Sequence, residues 1–141
     1  MLHKVTAYVT RGQQLLVFRH TQFPEAGIQV PGGRMEPGEN PAEAVLREAL
    51  EETGLSSLRL RSFLGVRDFD LSVFGLQGME RRYFYHLELV EDSAETWVHY
   101  EWHPSDGSPA PIEFEFYWVA FPDQVPELSG NQGEMLPSLQ I

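Results

Sequence analysis

The chain contains no cysteine, a single lysine and no long apolar run. The first absence excludes disulfides, thiol nucleophiles and thiolate metal ligands, and it fits a reducing compartment. The second leaves Lys4 among ten Lys and Arg side chains set against 21 Asp and Glu, a formal charge of −11. Long nucleic acids are held by cations that neutralise their phosphates, so this balance argues against such a partner. The third removes membrane-spanning helices, which need about 20 apolar residues in a row. With no signal-peptide pattern either, the expected location is the cytoplasm. What remains is core-forming material: 42% apolar residues in 141, with nine Phe, five Tyr and three Trp. That suits one domain, residues 1–141, with a sizeable core.

One stretch organises the rest, Gly33 to Leu55, GRMEPGENPAEAVLREALEETGL. Gly32 to Glu39 reads as a turn-rich loop. Asn40 is a preferred N-cap, Pro41 suits the first helical position, and Glu43 stands where a capping-box carboxylate would. Gly54 supplies a left-handed closing residue. The spacing predicts a helix over Pro41–Thr53, with Ala42, Leu46, Ala49, Leu50 and Thr53 on a packing face. Glu48, Glu51 and Glu52, at i, i+3 and i+4, converge on the opposite face. Like charges that close repel. A bound divalent cation would reverse the sign of that repulsion, and hard cations take oxygen ligands. The plainer alternative is a solvated acidic helix face.

The run Gly33-x5-Glu39-x7-Arg47-Glu48-Ala49-x-Glu51-Glu52-x-Gly54-Leu55 resembles the Nudix box of the Nudix hydrolases, with Ala49 where a bulkier aliphatic is usual. The resemblance implies an α+β fold, an α/β/α sandwich whose mixed sheet is flanked by helices, with the box as a loop–helix–loop. It also implies hydrolysis of a pyrophosphate in a nucleoside diphosphate linked to a group X, with Mg²⁺ or, as a substitute, Mn²⁺. Carried onto this chain, Glu48, Glu51 and Glu52 become metal carboxylates, and a backbone carbonyl at Gly32 or Gly33 a further ligand. Arg47 would orient Glu48 or Glu39, and Glu39 would support the site or serve as an auxiliary ligand. A plain loop-to-helix ion pair between Arg47 and Glu39 fits the same positions.

The rest of the chain reads mainly as strands. His3–Thr10 and Gln14–Arg19 form a hairpin, and Ile28–Val30 leads into Pro31-Gly32-Gly33. Further strands are expected at Leu58–Arg67, Arg82–Val90, Thr96–Trp102 and Glu113–Phe121. Asp68–Glu80 looks irregular, Asp123–Ser129 suggests a short helix, and the tail from Gly130 looks loosely held.

Outside the box, Glu113, Glu115 and Asp106 are candidate general bases, beside Glu51 and Glu52 within it. Arg34, nearest the box, is a candidate phosphate contact, as are Arg67, Arg81 and Arg82, for which a surface role is the alternative. Phe23, Phe69, Phe74, Tyr83, Tyr85, Trp97 and Trp102 include base-stacking candidates, although aromatic residues mostly build cores. His99 and His103 lie four apart but in a strand-like run, which does not suit zinc. Val66–Gly75 carries neither the Pro nor the Tyr of the ADP-ribose and diadenosine polyphosphate subfamilies, so those substrates gain no support. The partner expected is a small nucleotide pyrophosphate, with no membrane; the aromatic strands could also bury a homodimer surface. A Nudix-fold module that binds a nucleotide without hydrolysing it is the alternative function, and an RNA cap hydrolase a third that the negative charge weakens.

Overall fold

The computed structural model describes residues 1–104 and 107–141, so Asp106 lies outside the described residues. Among them, the strands are β1 (Leu2–Arg11), β2 (Gln14–His20), β3 (Ile28–Gln29), β4 (Gly32–Arg34), β5 (Leu58–Asp70), β6 (Met79–Leu89), β7 (Thr96–Glu101) and β8 (Ile112–Ala120). The single α-helix among these residues is α1 (Pro41–Thr53), with the ends its sequence predicts. Asn40 Oδ1 accepts the Ala42 N–H at 2.8 Å, and Gly54 closes the helix at φ 74° with its N–H on Leu50 O. Glu43 stays exposed in the first turn, where its charge favours the helix N-terminus.

The sheet runs β5-β6-β1-β2-β8-β7, with β1 and β6 parallel and the other neighbours antiparallel. This is the expected α+β architecture. β1 touches β2 only through Thr10↔Leu15 and Arg11↔Gln14, after which the two strands part. β4 then pairs with β1 and β3 with β2, so a crevice opens between the two arms. Gly32–Arg34 is therefore a strand rather than loop: β1 supplies its ladder through Thr6↔Gly32, Val5↔Gly33 and Lys4↔Arg34.

Each face of the sheet carries its own core. Val5, Ala7 and Val9 pack with Val45 and Ala49 of α1 and with Phe116, while Tyr8 points to the other side among Leu15, Val17, Phe84, Met135 and Leu139. Alternation along β1 is thus buried on both faces, as for a central strand. The outer layer over this second core is not an α-helix. Asp123–Ser129 forms none, and the covering is made by irregular chain with short 3₁₀ turns at Ser129–Asn131 and Leu136–Ser138. Nor is the tail loose: Leu128, Met135 and Leu139 are buried. The Tyr8 hydroxyl donates to Gln132 O at 2.6 Å and accepts the Met135 N–H at 3.2 Å. Hydrophobic anchors and one buried phenol hold what helix propensity does not. β5 runs on to Asp70 through two bulges, taking in residues that read as irregular. Among the described residues no helix is long and apolar enough to cross a membrane.

If Tyr8 ties down the tail, Tyr8→Phe leaves two buried backbone groups without their partner. Urea unfolding is expected to show a loss of about 1–3 kcal/mol with an unchanged slope. An unaltered midpoint would mean the tail is held elsewhere.

Candidate active site

A cavity of about 870 Å³ occupies the crevice and wraps around β4. α1 delivers Glu48, Glu51 and Glu52 to it, but not on one outward face. Glu52 is buried, Glu48 half-buried and Glu51 exposed. The buried stripe of the helix runs through Ala44, Val45, Ala49, Glu52 and Thr53, while Leu46 and Leu50 are only partly covered. The reason is lateral contact: α1 packs against β4 and β7 as well as against the sheet floor, which turns the covered arc toward the glutamates.

The glycines beneath them have a steric role. A Cβ on Gly33 would stand 2.2 Å from Glu48 Oε2, so a side chain there would fill the space the carboxylate occupies. The Gly32 N–H donates to Glu52 Oε1 at 3.2 Å. Across the cavity, β7 turns Trp97, His99 and Glu101 inward. Trp97 Nε1 and His99 Nδ1 donate to the carbonyls of Thr53 and Glu52, at 2.7 and 3.0 Å, and so bind the last turn of α1. His99 is thus a helix-end partner, consistent with its strand setting. Glu101, two residues further on, lines the cavity and acts electrostatically on both Glu48 and Glu52. Sequence reasoning passed over Glu101. The signal was there: the parity that takes Trp97 inward takes Glu101 with it.

Arg47 joins loop to helix. Nε and Nη2 grip the two oxygens of Glu39 at 2.8 Å each, Nη1 donates to Glu48 at 2.9 Å, and Nη2 also reaches Arg34 O at 3.2 Å. Its contact with Glu51, 3.4 Å, is the longest of the set. Arg47 therefore contacts both carboxylates named for it, Glu39 and Glu48. That guanidinium holds the Glu39 carboxyl down at about 2. Burial acts the other way on Glu48, raising it to about 7 against the opposing pull of Arg47, with Glu51 and Glu101 adding repulsion. Burial also raises Glu52 well above the ordinary glutamate value; the Gly32 N–H opposes this, and Lys4 exerts the weakest of the effects.

Several other candidates are not brought here. Glu113 accepts from Thr21 Oγ1 at 2.6 Å and from the Tyr100 hydroxyl at 2.9 Å, and Glu115 pairs with Arg19 at 2.8 Å. Neither lines the cavity, because Ile112 and Phe114 of the opposite parity do. Arg81 is held by Asp68, whereas Arg82, buried rather than at the surface, lines the cavity together with Arg34. Trp102 does stand at the cavity, whereas Trp97 packs on Phe116 in the core.

The donor set suits a hard divalent cation: carboxylate oxygens, two of them on glutamates drawn out of solvent, over a backbone that no side chain obstructs. Among the described residues, however, no three acidic or histidine side chains are already gathered around one point. Glu51 is the outlying member, 59% exposed at its side chain.

A family model described as NUDIX domain matches residues 3–139. Human diphosphoinositol polyphosphate phosphohydrolase 3-beta is 32% identical over 87 residues, 62% of this chain and 48% of that protein. A putative 8-oxo-dGTP diphosphatase of Bacillus subtilis (strain 168) is 41% identical over 49 residues, 35% of this chain and 32% of that one. The chain thus spans about half or less of the length of these curated relatives. Among solved structures, a UDP-X diphosphatase superposes with a TM-score of 0.65 at 24% identity, over 97% of this chain and 60% of its own. A MutT NUDIX hydrolase from Burkholderia pseudomallei gives 0.61 at 23%, over 99% and 98%. At these identities the structural likeness is one of fold.

Opposite shifts at one site make pH a test of its electrostatics. From about 2 up to the ordinary glutamate value of 4.5, the unfolded chain binds a proton that Glu39 in the folded chain does not, so stability rises with pH. Above 4.5 the folded chain keeps protons on Glu48, up to about 7, and on Glu52, so their contribution falls as pH rises. In EDTA at pH 8, Glu52→Gln is expected to raise the thermal midpoint by several degrees and to flatten that fall. A lower midpoint would show that the Glu52 charge is compensated.

Proposed function

Because the chain belongs to the Nudix hydrolase family, we propose that it hydrolyses the pyrophosphate of a nucleoside diphosphate linked to a further group X, in a reaction dependent on Mg²⁺ or Mn²⁺. The observation that carries this reading is the half-buried Glu48 beside the buried Glu52 above the Gly32-Gly33 backbone, two carboxylates drawn from solvent with like charge around them. Burying like charges is costly unless something cationic joins them. The residues that would hold a metal are Glu48, Glu51 and Glu52, with a backbone carbonyl of Gly32 or Gly33. When bound, a divalent ion neutralises phosphate oxygens and lowers the pKa of an attacking water.

The chain's own residues do the remainder. Arg47 fixes the rotamer of Glu48 and locks the preceding loop through Glu39. Glu101, which lines the cavity and is not among the metal carboxylates, is a carboxylate available to accept a proton from water. Trp102, 62% exposed at the cavity, offers a face on which a base can stack, an interaction of about 1–3 kcal/mol. Cations are too few there for a ring bearing many phosphates. Of the cations in the cavity, Arg47 is committed to Glu39, Lys4 and Arg82 share Glu80, and Arg34 remains. That favours a nucleotide over the substrates for which the human relative is named.

Purified protein is expected to turn over members of a nucleotide panel only when Mg²⁺ or Mn²⁺ is added. Glu51→Gln and Glu52→Gln should each lower kcat by about 100-fold or more. Trp102→Ala should raise KM for base-bearing substrates about 5- to 100-fold and leave inorganic pyrophosphate binding unaffected. Tight nucleotide binding without turnover under any metal would select the non-catalytic module instead.

A further inference from the structure

Four of the ten basic side chains fall on one line across the sheet. Arg34 of β4 stands in register with Lys4 of β1, Lys4 with Arg82 of β6, and Arg82 with Arg67 of β5. Residues in register point to the same face, and like charges so placed repel one another. Arg67 leaves the line toward Glu134, at 4.0 Å. The other three line the cavity.

One buried carboxylate serves this cluster. Glu80 lies 3.4 Å from Lys4 Nζ and accepts from Arg82 Nε at 2.8 Å. Arg82 is further fixed by donating to Gly130 O at 2.8 Å and by lying over the Phe69 ring at 4.6 Å. Among the described residues Arg34 forms no side-chain salt bridge, and its side chain is exposed. Lys4 and Arg82 thus share one carboxylate and Arg34 pairs with none among the described residues, a local excess of positive charge within a chain of net −11.

The line sits on the side of β1 opposite Val5. Val5 pairs with Gly33 and faces α1, and Glu48 covers that same side of β4. Among the described residues β4 pairs only with β1, and its other edge meets no strand but the Glu52 and Arg47 side chains. Carboxylates on one face and cations on the other therefore meet around that edge within one cavity.

We propose that Lys4, flanked by Arg34 and Arg82, forms an anion subsite that holds a phosphate group of the substrate on the face of β4 away from the carboxylates. The proposal rests on the pyrophosphohydrolase reading for the identity of the anion, but not for the binding itself. A site built of ammonium and guanidinium groups needs no metal, so it holds phosphate oxygens in the presence of a chelator.

Lys4 is the one side-chain amine of the chain, which makes it directly observable. In EDTA, inorganic pyrophosphate and ADP are expected to slow acetylation of Lys4, read by mass spectrometry, while the Met1 amine reacts at its usual rate. Lys4→Met should weaken pyrophosphate binding in EDTA about 10- to 100-fold and raise KM more than it lowers kcat, whereas Lys4→Arg should retain most of the affinity. Arg34→Met, at an exposed position, should weaken binding in the same direction without a change in thermal midpoint. Unchanged Lys4 acetylation under saturating pyrophosphate, or wild-type affinity in Lys4→Met, overturns the subsite. Protection of Lys4 in a protein that hydrolyses nothing would retain the subsite and reject the hydrolase. Turnover with an unresponsive Lys4 would do the reverse.

Discussion

The guanidinium of Arg47 is the joint on which the acidic end of the cavity depends. Loop 35–40 is tied to the sheet through the Met35 N–H on His3 O at its start, and α1 would otherwise carry its glutamates at positions set by helix geometry alone. Arg47 converts the two into one unit, gripping Glu39 with a planar fork while holding Glu48 and the Arg34 carbonyl. Lysine could not reproduce this, since an ammonium is a point charge without a fixed fork. The same contacts separate two carboxyl groups by chemistry. Glu39 is kept ionised into strong acid, and Glu48, only partly offset by the same arginine, is pushed upward by burial.

From that joint follows a cavity with two characters. α1 and β7 place carboxylates where the backbone of Gly32 and Gly33 leaves room, and the parting of β1 from β2 exposes the opposite face of β4. A strongly negative chain therefore presents a locally positive wall beside a locally negative one. Neither wall is explained by core packing, since the apolar clusters lie under α1 and under the C-terminal segment. On the proposed function, the two walls would receive different parts of one substrate, a phosphate at the positive wall and the metal-bound centre at the negative one.

Legibility in the sequence followed the range of the interactions. The ends of α1 were readable because Asn40, Pro41 and Gly54 act within one turn. The pairing of Arg47 with Glu39 or Glu48 was implied by the resemblance of the box rather than by local spacing, since Glu39 stands eight residues away. What escaped was settled by distant partners. Gly32-Gly33-Arg34 has turn-like residues, and only pairing to β1 makes it a strand. The covered arc of α1 shifted because β4 and β7 flank it, which moved Glu52 from an outward face to a buried one. Glu113 and Glu115 are acids on a correctly located strand, yet strand parity sends them away from the cavity, and Ile112 and Phe114 take their place. The line from Arg34 through Lys4 to Arg82 required a parallel register between β1 and β6 that no local pattern announces. The tail escaped because Tyr8 and buried Leu139 hold it without regular helix.

The outermost strand, β7, has one neighbour in the sheet, β8, yet its inward side chains secure the end of α1 and place Glu101 in the cavity. Fraying of that border would release a helix terminus and withdraw a negative charge in the same movement. Mechanical looseness at the rim and the electrostatics of the interior are thereby a single coordinate of this molecule.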